Sequence, residues 1–316
     1  MQARILSMGE AVVDVLPAGD GLWRPVPGGS SYNVALALGR LGAPAAFVGR
    51  LSRDEQGRRM LAILDDAGVS ADLVTPDDRP SPLSLVERGS ETQSARYSIH
   101  LADTAHAPPD LRPDWLAGAA HLHVSSFSAI VGDWGQAVSA ALDAAQGVGT
   151  RSFDVNIRPN LLPPREAARD LVAARLKQVE IVKASDEDLC WLFPDHAPQD
   201  MAARWSRQGP VTILTRGAAG ADVFVRGASV SRSGRPVRVA DTVGAGDAFI
   251  AAFLARALQM DVLARLSDAR ADEIAGLLDF ANAAAALCCA RAGADAPTRA
   301  QVESAFEPSR SNRNSD

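Results

Sequence analysis

Near the carboxyl end of the sequence, two glycines lie directly before an aspartate in the stretch "ADTVGAGDAF", residues 240–249. An apolar run follows at once, so Gly244 and Gly246 are predicted to open a helix. The N–H groups of a helix start are unpaired and partly positive, which suits an anion such as phosphate. Asp247, beside that anion, could take the proton of an attacking alcohol. Alternatively it only complements the helix dipole, the commoner role of such an acid when the turn is considered alone.

A second glycine pair opens another predicted helix in "PGGSSYNVALALGRLG", residues 27–42. Gly28 and Gly29 allow a ligand to approach the backbone, and Asn33 offers a donor and an acceptor from the first turn. Asp14 is predicted to end the first strand, at the edge where parallel sheets bind ligands. A carboxylate and a carboxamide together suit sugar hydroxyls, whereas each alone is more often a cap or a turn residue.

Several other chemistries lack their motifs in this sequence. There is no GxxxxGK[ST], no GxSxG, and no GxGxxG after the first predicted strand, which argues against P-loop proteins, common hydrolases and dinucleotide-dependent oxidoreductases. His121 and His123 alternate on a predicted strand without an acidic or cysteine partner at metal spacing. We therefore interpret them as strand residues rather than metal ligands.

The elements that must position these residues alternate between strand and helix along most of the chain. This rhythm predicts an α/β fold with a doubly wound, mostly parallel central sheet and helices on both faces. The segment "RILSMGEAVVDVL", residues 4–16, is predicted to be the first strand. Residues 80–102 break the rhythm with a hairpin pattern around a Gly-Ser-Glu turn, which indicates either a lid over the site or an edge extension.

Composition narrows the choice of function. The chain has 316 residues, 47% of them hydrophobic, with a formal net charge of −6 and a pI near 5.4. The acidic balance argues against nucleic-acid binding and favours an enzyme that acts on small polar metabolites. The three cysteines lack a CxxC spacing, and the amino terminus resembles neither a signal peptide nor a membrane span. We expect a cytoplasmic protein with reduced thiols and a disordered tail at residues 309–316.

Taken together, the two glycine motifs resemble the signatures of the ribokinase-like (PfkB) family of sugar and nucleoside kinases. The first signature is similar to "GGSSYNVALALGRLG" with "VGRLSRDEQG" after it, and the second to "DTVGAGDAFIAA". The resemblance covers residues 4–306. It implies a single kinase domain over residues 1–308, with a small β lid formed by parts of 10–27 and 80–102. It also implies transfer of the ATP γ-phosphoryl group to a sugar hydroxymethyl group.

The resemblance assigns roles to individual residues. Asp247 would be the catalytic base, and an anion hole would be formed by the amides of Gly244, Ala245 and Gly246. The sugar would be bound by Asp14, Gly28, Gly29 and Asn33. The nucleotide would contact the loop "TRGAAG" and two helices, through Ser185, Thr215, Arg216, Gly217, Gly220, Gly246 and Asn282.

Metal binding is implied less directly. The family often has an N-x-x-E motif that organises magnesium, whereas "KASDED" here provides Ser185 and Asp188. Asp188 would therefore handle magnesium through water. Some members also bind potassium through backbone carbonyls, at positions matching Asp241, Val243 and Gly293.

Several segments look most like those of bacterial fructokinases, among them "FDVNIRPNL", residues 153–161, and they narrow the choice of substrate. The 2-keto-3-deoxygluconate kinases share Arg158, but they tend to place tyrosine and arginine where Ile99, His100 and Leu101 stand. We therefore expect a neutral sugar, fructose, with Arg158 and His100 as further contacts. Another ketose, the acid sugar, a nucleoside and a non-catalytic sugar- or nucleotide-binding regulator remain alternatives. Family members commonly dimerise through the lid, so a homodimer is expected.

Overall fold

The computed structural model describes residues 3–87 and 96–306 of the chain. The strands are β1 (Arg4–Met8), β2 (Val12–Gly19), β3 (Leu22–Gly28), β4 (Ala45–Ser52), β5 (Val74–Asp77), β6 (Leu83–Glu87), β7 (Arg96–His100), β8 (Ala119–Ser125), β9 (Thr150–Asp154), β10 (Ile181–Ser185), β11 (Val211–Thr215), β12 (Ala221–Val225) and β13 (Ala228–Arg232). The α-helices are α1 (Ser30–Arg40), α2 (Glu55–Asp66), α3 (Gly132–Ala144), α4 (Arg165–Leu176), α5 (Asp186–Leu192), α6 (Pro198–Arg207), α7 (Ala245–Gln259), α8 (Ala271–Cys289) and α9 (Arg299–Phe306).

Nine strands form the central sheet in the order β13-β12-β11-β10-β9-β8-β1-β4-β5. Seven neighbouring strands pair in parallel, namely β5, β4, β1, β8, β9, β10 and β11. The hairpin β12–β13 adds two antiparallel strands at one edge. The order proceeds from β1 to β4 and β5 on one side, and then from β8 onward on the other. Ligands of such sheets bind at the carboxyl ends of the strands, where the order reverses.

Helices cover both faces of this sheet. Successive residues of its strands point to opposite sides, and both sides carry apolar residues that need to be covered. Ile5 packs with apolar residues of α1, α7 and α8, whereas its neighbour Leu6 packs with those of α3, α4 and α6. Ile213 and Leu214 divide between the same two cores. The predicted α/β class, with a mostly parallel sheet and helices on both faces, is confirmed.

A second, smaller sheet has four strands in the order β3-β2-β6-β7. β2 pairs antiparallel with β3 and parallel with β6, and β6 pairs antiparallel with β7. These strands overlap the segments 10–27 and 80–102 that were expected to form a lid. The turn predicted at residues 89–91 lies outside the described residues. Whether the small sheet acts as a lid stays a prediction.

The prediction of one strand over residues 4–16 is wrong. β1 ends at Met8 and belongs to the central sheet, whereas β2 begins at Val12 and belongs to the small sheet. Asp14 therefore lies within the small sheet instead of at the end of the first strand. The break is short, since only Gly9 and Glu10 separate the buried residues Met8 and Ala11. Hydrophobicity alone therefore gave little sign of it.

Among the described residues, no helix combines the length and the apolar character needed to cross a bilayer. The tail predicted to be disordered, residues 309–316, lies outside the described part of the chain. The single kinase domain over residues 1–308 likewise stays a prediction.

Candidate active site

The residues singled out in the sequence gather where the starts of α1 and α7 meet. Asp247 lies in the first turn of α7 and is only 7% exposed. Its Oδ1 accepts a hydrogen bond from Ser30 Oγ at 2.7 Å, and its Oδ2 accepts one from Asn33 Nδ2 at 2.9 Å. Burial raises the pKa of Asp247, and these two hydrogen bonds, with the charges of Arg158 and Lys183, oppose the rise.

The start of α7 is open toward the site. Gly244 precedes the helix with φ 76° and ψ −1°, a left-handed conformation that favours glycine, and no side chain of the described residues caps it. The amide of Ala245 makes a long bond of 3.3 Å to the carbonyl of Thr242. The first-turn amides of a helix have no partners within it, so those of Gly246 and Asp247 suit an anion from outside.

A buried ion pair lies beside this helix start. Lys183 of β10 and Asp154 of β9 stand opposite each other in the sheet, with Nζ 2.8 and 2.9 Å from the two carboxylate oxygens. A methyl group placed on Gly246 would lie 3.4 Å from Lys183 Nζ. Burial opposes a charge on Lys183, but Asp154 and Asp188 outweigh it and raise its pKa. The pair is neutral overall, and its positive end, the Lys183 ammonium, lies next to the open amides.

On the side of the small sheet, Asp14 approaches the glycine pair. Gly28 packs directly against the Asp14 carboxylate, so closely that any larger residue would displace it. Gly29 follows as the residue before α1. Burial raises the pKa of Asp14 to about 6, and the nearby charge of Arg158 opposes this rise. The structure thus brings together Asp14, Gly28 and Arg158. Their role as a sugar site stays a prediction.

Arg158 and His100 differ in their connection to the site. Arg158 Nη1 donates to Asn156 Oδ1 at 2.7 Å, and Asn156 Nδ2 donates to Ser30 Oγ at 2.9 Å, which links Arg158 to Asp247 through side chains. His100 is exposed at the end of β7 and takes no part in the described hydrogen bonds around Asp247. Its contact with a sugar stays a prediction.

The loop predicted to bind the nucleotide is the connection of the β11–β12 hairpin. Thr215 ends β11, and the amide of Arg216 donates to the carbonyl of Gly220 at 2.8 Å, closing a turn that begins with Gly217 at φ 50°. The Arg216 guanidinium pairs with Asp222 at 2.8 and 2.9 Å. Because this side chain is already paired, the backbone of the turn is the more accessible surface for a nucleotide.

Asn282 is connected to the same loop from α8. It is buried, and its Nδ2 donates to the carbonyl of Ser233 at 3.3 Å. The adjacent Gly234 packs against the backbone of Ala218 and Gly220. The predicted nucleotide residues on β11, the hairpin turn and α8 therefore border one another.

Ser185 and Asp188 hold the start of α5 together. The Asp188 amide donates to Ser185 Oγ at 3.0 Å, and Asp188 Oδ2 accepts from the Ser185 amide at 2.8 Å, which is a capping box. Asp188 Oδ1 accepts from the Ile157 amide at 2.7 Å. Each carboxylate oxygen retains a lone pair, so Asp188 fits a metal-bound water better than the metal itself.

The positions expected for potassium lie close together. Asp241 accepts from the Val243 amide at 3.0 Å and from the Gly293 amide at 2.9 Å, which holds the two loops side by side. Carbonyl groups of such loops are suitable ligands for a monovalent cation. The metal assignment stays a prediction.

The two strand histidines are buried on β8 as expected. His121 contacts Thr150 Oγ1 at 2.7 Å and Ser152 Oγ at 2.6 Å, and His123 contacts Ser152 Oγ at 2.7 Å. Burial lowers the pKa of His121 to about 3. Within residues 3–87 and 96–306, no three His, Cys, Asp or Glu side chains form a group that could hold a metal.

Sequence reasoning missed several side chains of this site. Ser30 and Asn156 stand inside quoted motifs without an assigned role, and Lys183 was recognisable only as one of two lysines in the chain. Glu10, which accepts from the Ser30 amide at 3.0 Å and from Ser128 Oγ, gave no signal beyond its charge. Their partners are distant in sequence, so spacing alone could not reveal them.

Comparison with known proteins identifies the family of this chain. The family model "pfkB family carbohydrate kinase" matches residues 3–301. A fructokinase of Rhizobium leguminosarum bv. trifolii is 34% identical over 265 residues, which cover 82% of this chain and 81% of that protein. A crystal structure of Xylella fastidiosa fructokinase with bound ATP has a TM-score of 0.86 at 26% identity, covering 96% of this chain and 98% of that one. The fructokinase of Vibrio cholerae O395, solved with fructose, ADP and a calcium ion, has a TM-score of 0.82 at 27% identity, covering 97% and 99%. The chain belongs to the pfkB family of carbohydrate kinases.

Proposed function

We propose that the protein is a fructokinase, which transfers the γ-phosphoryl group of ATP to fructose and forms fructose 6-phosphate. The observation that carries the proposal is the position of Asp247. Its carboxylate is buried and held by Ser30 and Asn33, directly beside the uncapped amides that open α7. The similarity to fructokinases solved with ATP, or with fructose and ADP, supports the choice of both substrates.

In this proposal Asp247 accepts the proton of the sugar hydroxyl while that oxygen attacks the γ-phosphorus. The bond from phosphorus to the bridging oxygen breaks, and ADP leaves with the electron pair. The amides of Gly244, Ala245 and Gly246 stabilise the charge that develops on the phosphoryl oxygens. The buried Lys183 ammonium lies on the same side, next to Gly246, with its charge balanced by Asp154.

The sugar would lie between the small sheet and α1. Asp14 and Asn33 would bind its hydroxyls, while the backbone at Gly28 and Gly29 lets the sugar approach. Arg158 would donate to a further hydroxyl, and His100 would reach the sugar from β7. In support, Asp14, Asn33 and Arg158 are all within electrostatic or hydrogen-bonding range of Asp247.

The nucleotide would bind along the β11–β12 turn and α8, through Ser185, Thr215, Arg216, Gly217, Gly220, Gly246 and Asn282. Magnesium, when bound with ATP, would neutralise phosphate charge, and Asp188 would hold a water of its hydration shell. Potassium would bind at the loops of Asp241, Val243 and Gly293. The calcium ion in the Vibrio cholerae fructokinase is consistent with a metal requirement.

The setting of the enzyme follows from the same proposal. Consumption of ATP points to the cytoplasm, and the three cysteines, unpaired in the described structure, are consistent with reducing conditions. A homodimer through the small sheet is supported by exposed apolar side chains on it, Leu22, Trp23 and Leu83. Light scattering should give twice the mass of one chain, and a Trp23→Ser variant should lower that mass at equal concentration.

The direct test is ADP release with the purified protein, ATP and magnesium across four acceptors. These are fructose, a second neutral ketose, 2-keto-3-deoxygluconate and a nucleoside. We expect the highest kcat/KM with fructose, and phosphorus NMR of the product should show a phosphate ester at carbon 6. Preference for the acid sugar or the nucleoside would reject fructose as substrate. Release of ADP with none of the four would reject the kinase proposal in favour of a binding protein.

A further inference from the structure

The hydroxyl of Ser30 has a defined direction. A serine hydroxyl has one proton to donate and two lone pairs to accept with. Ser30 Oγ lies 2.9 Å from Asn156 Nδ2, which can only donate, and 2.7 Å from Asp247 Oδ1. The Ser30 proton is therefore directed to the Asp247 carboxylate.

The direction of Asn156 is fixed in the same way. Its Oδ1 accepts from Arg158 Nη1 at 2.7 Å, and a guanidinium has no acceptor. The oxygen of the amide must face Arg158, so its nitrogen faces Ser30. Asn156 has φ 37°, in the left-handed region that asparagine tolerates better than most residues, and its carbonyl accepts from Ser126 Oγ at 3.2 Å. The amide is held by its backbone as well as by its side chain.

The backbone of Ser30 is fixed from another direction. Its amide donates to Glu10 Oε1 at 3.0 Å, while Ser30 itself is buried. Asn33, one turn further along α1, donates to the other oxygen of Asp247. Both oxygens of the carboxylate are thus held from one face of α1, and among the hydrogen bonds of the described residues the connection to Arg158 runs through Oδ1.

We propose that Arg158, Asn156 and Ser30 form a one-way chain of donors, in which Ser30 and Asn156 are positioning residues that orient Asp247 and stabilise its ionised form. The inference rests on the proposed role of Asp247 as the base. Hydrogen bonds in such a chain polarise one another, so Arg158 strengthens the bond that Ser30 donates. Because Arg158 is also proposed to bind the sugar, the chain connects the sugar contact with the group that takes its proton.

Other ionisable groups also influence Asp247, and the test must keep them constant. The ionised carboxyls of Glu10, Asp14 and Asp154 interact with it unfavourably, whereas Lys183 and Arg158 favour its charge. The Cys288 thiol stays neutral, because burial raises its pKa to about 12. Replacement of Ser30 by alanine changes none of these charges. A change in the titration of Asp247 would therefore come from the lost hydroxyl.

The experiment compares wild type with Ser30→Ala and with a matched control, Ser31→Ala. Ser31 is the adjacent buried serine, and its hydroxyl bonds to the Met8 carbonyl and to Ser125 instead of Asp247. We expect Ser30→Ala to lower kcat about 10- to 100-fold with little change in either KM. A base must be ionised, so loss of the donor should move the acidic fall of kcat/KM about one pH unit upward. Ser31→Ala should lose stability and keep both kcat and the pH profile.

A third variant tests the chain beyond Ser30. Asn156→Gly removes the amide and keeps a residue suited to the positive φ. Its loss of kcat should be smaller, and the double variant should be no slower than Ser30→Ala, because both act through one hydroxyl. Multiplied losses in the double variant would overturn the chain.

A readout without substrate separates this inference from the proposed function. Carbon NMR of protein labelled at the aspartate carboxyls would follow the titration of Asp247, assigned by its absence in Asp247→Asn. A higher pKa in Ser30→Ala supports the chain, and an unchanged pKa overturns it. If wild type releases no ADP with any sugar but this shift is present, the fructokinase proposal fails while the donor chain stands.

Discussion

Two turns in this molecule look alike in sequence and differ in structure. Gly28 and Gly29 lead into α1, and Gly244 leads into α7 with Gly246 in its first turn. Both present small residues before a helix, a pattern that suits an anion at the helix start. At the start of α1 the anion position is occupied by the protein itself, because the buried carboxyl of Glu10 accepts from the Ser30 amide at 3.0 Å. The start of α7 has no side-chain cap among the described residues.

The difference arises from where each carboxylate points. Asp247 belongs to the first turn of α7 but turns toward α1, where Ser30 and Asn33 bind it. It therefore does not fill the anion position of its own helix. Glu10, distant in sequence from α1, does fill that of α1. A helix start becomes available for a phosphate only when the fold brings no side chain to it.

The largest effect should come from Asp247→Asn, which keeps the shape and removes the base. We expect kcat to fall about 10³- to 10⁴-fold with nearly unchanged nucleotide binding, measured by ADP release and by calorimetry with ADP. Asp133→Asn is the matched control, since Asp133 is an exposed first-turn acid of α3. It should keep kcat and lose a few tenths of a kcal/mol in unfolding free energy at most. Near-normal turnover of Asp247→Asn would leave Asp247 as a dipole-complementing acid only.

The next largest loss of activity should come from Gly244→Ala, which distorts the uncapped start of α7. The added methyl group would lie 2.5 Å from Cβ of Ala294, and φ 76° is strained for alanine. We expect kcat to fall about 10²-fold, because the first-turn amides move away from the phosphate. Gly147→Ala is the control, with φ 77° and no atom near the new methyl group.

The positive φ alone should cost both glycine variants about 1–2 kcal/mol of unfolding free energy, measured in urea. Gly244→Ala should lose more than Gly147→Ala, because its methyl group also meets Ala294. Only Gly244→Ala should lose turnover. Equal turnover in the two variants would mean that the start of α7 does not act on the phosphate.

The smallest effect concerns the start of α1 and the dependence of stability on the ionisation of Glu10. Burial raises the pKa of Glu10 from 4.5 to about 7, opposed by its bond from Ser128. The folded protein then holds a proton that the unfolded chain has released, so the contribution of Glu10 is full below pH 4.5 and is lost as pH rises through about 7. Relative to Glu10→Gln, wild type should lose about 2 kcal/mol of unfolding free energy between pH 5 and pH 8. Other carboxyls titrate in both proteins and cancel, and parallel pH curves would contradict the assignment.

Local pattern was sufficient to predict the alternating elements, the parallel sheet and the helix that begins near Asp247. It did not separate β1 from β2, because only Gly9 and Glu10 stand between the apolar end of β1 and the apolar start of β2. It also left Ser30, Asn156 and Glu10 without a role, since each acts through partners far away in sequence. Their meaning depends on the packing of α1 against α7 and on the loop after β9, which are consequences of the whole fold.

The central claim is that the start of α7 binds the transferred phosphoryl group beside Asp247, and that the start of α1 does not. A crystal structure with fructose, ADP, magnesium and aluminium fluoride would test it directly, because aluminium fluoride mimics the transferred phosphoryl group. We expect the aluminium fluoride group within about 3 Å of the Gly244–Gly246 amides, with a sugar hydroxyl on Asp247. Fluoride bound elsewhere, or a sugar that leaves Asp247 without contact, would contradict it.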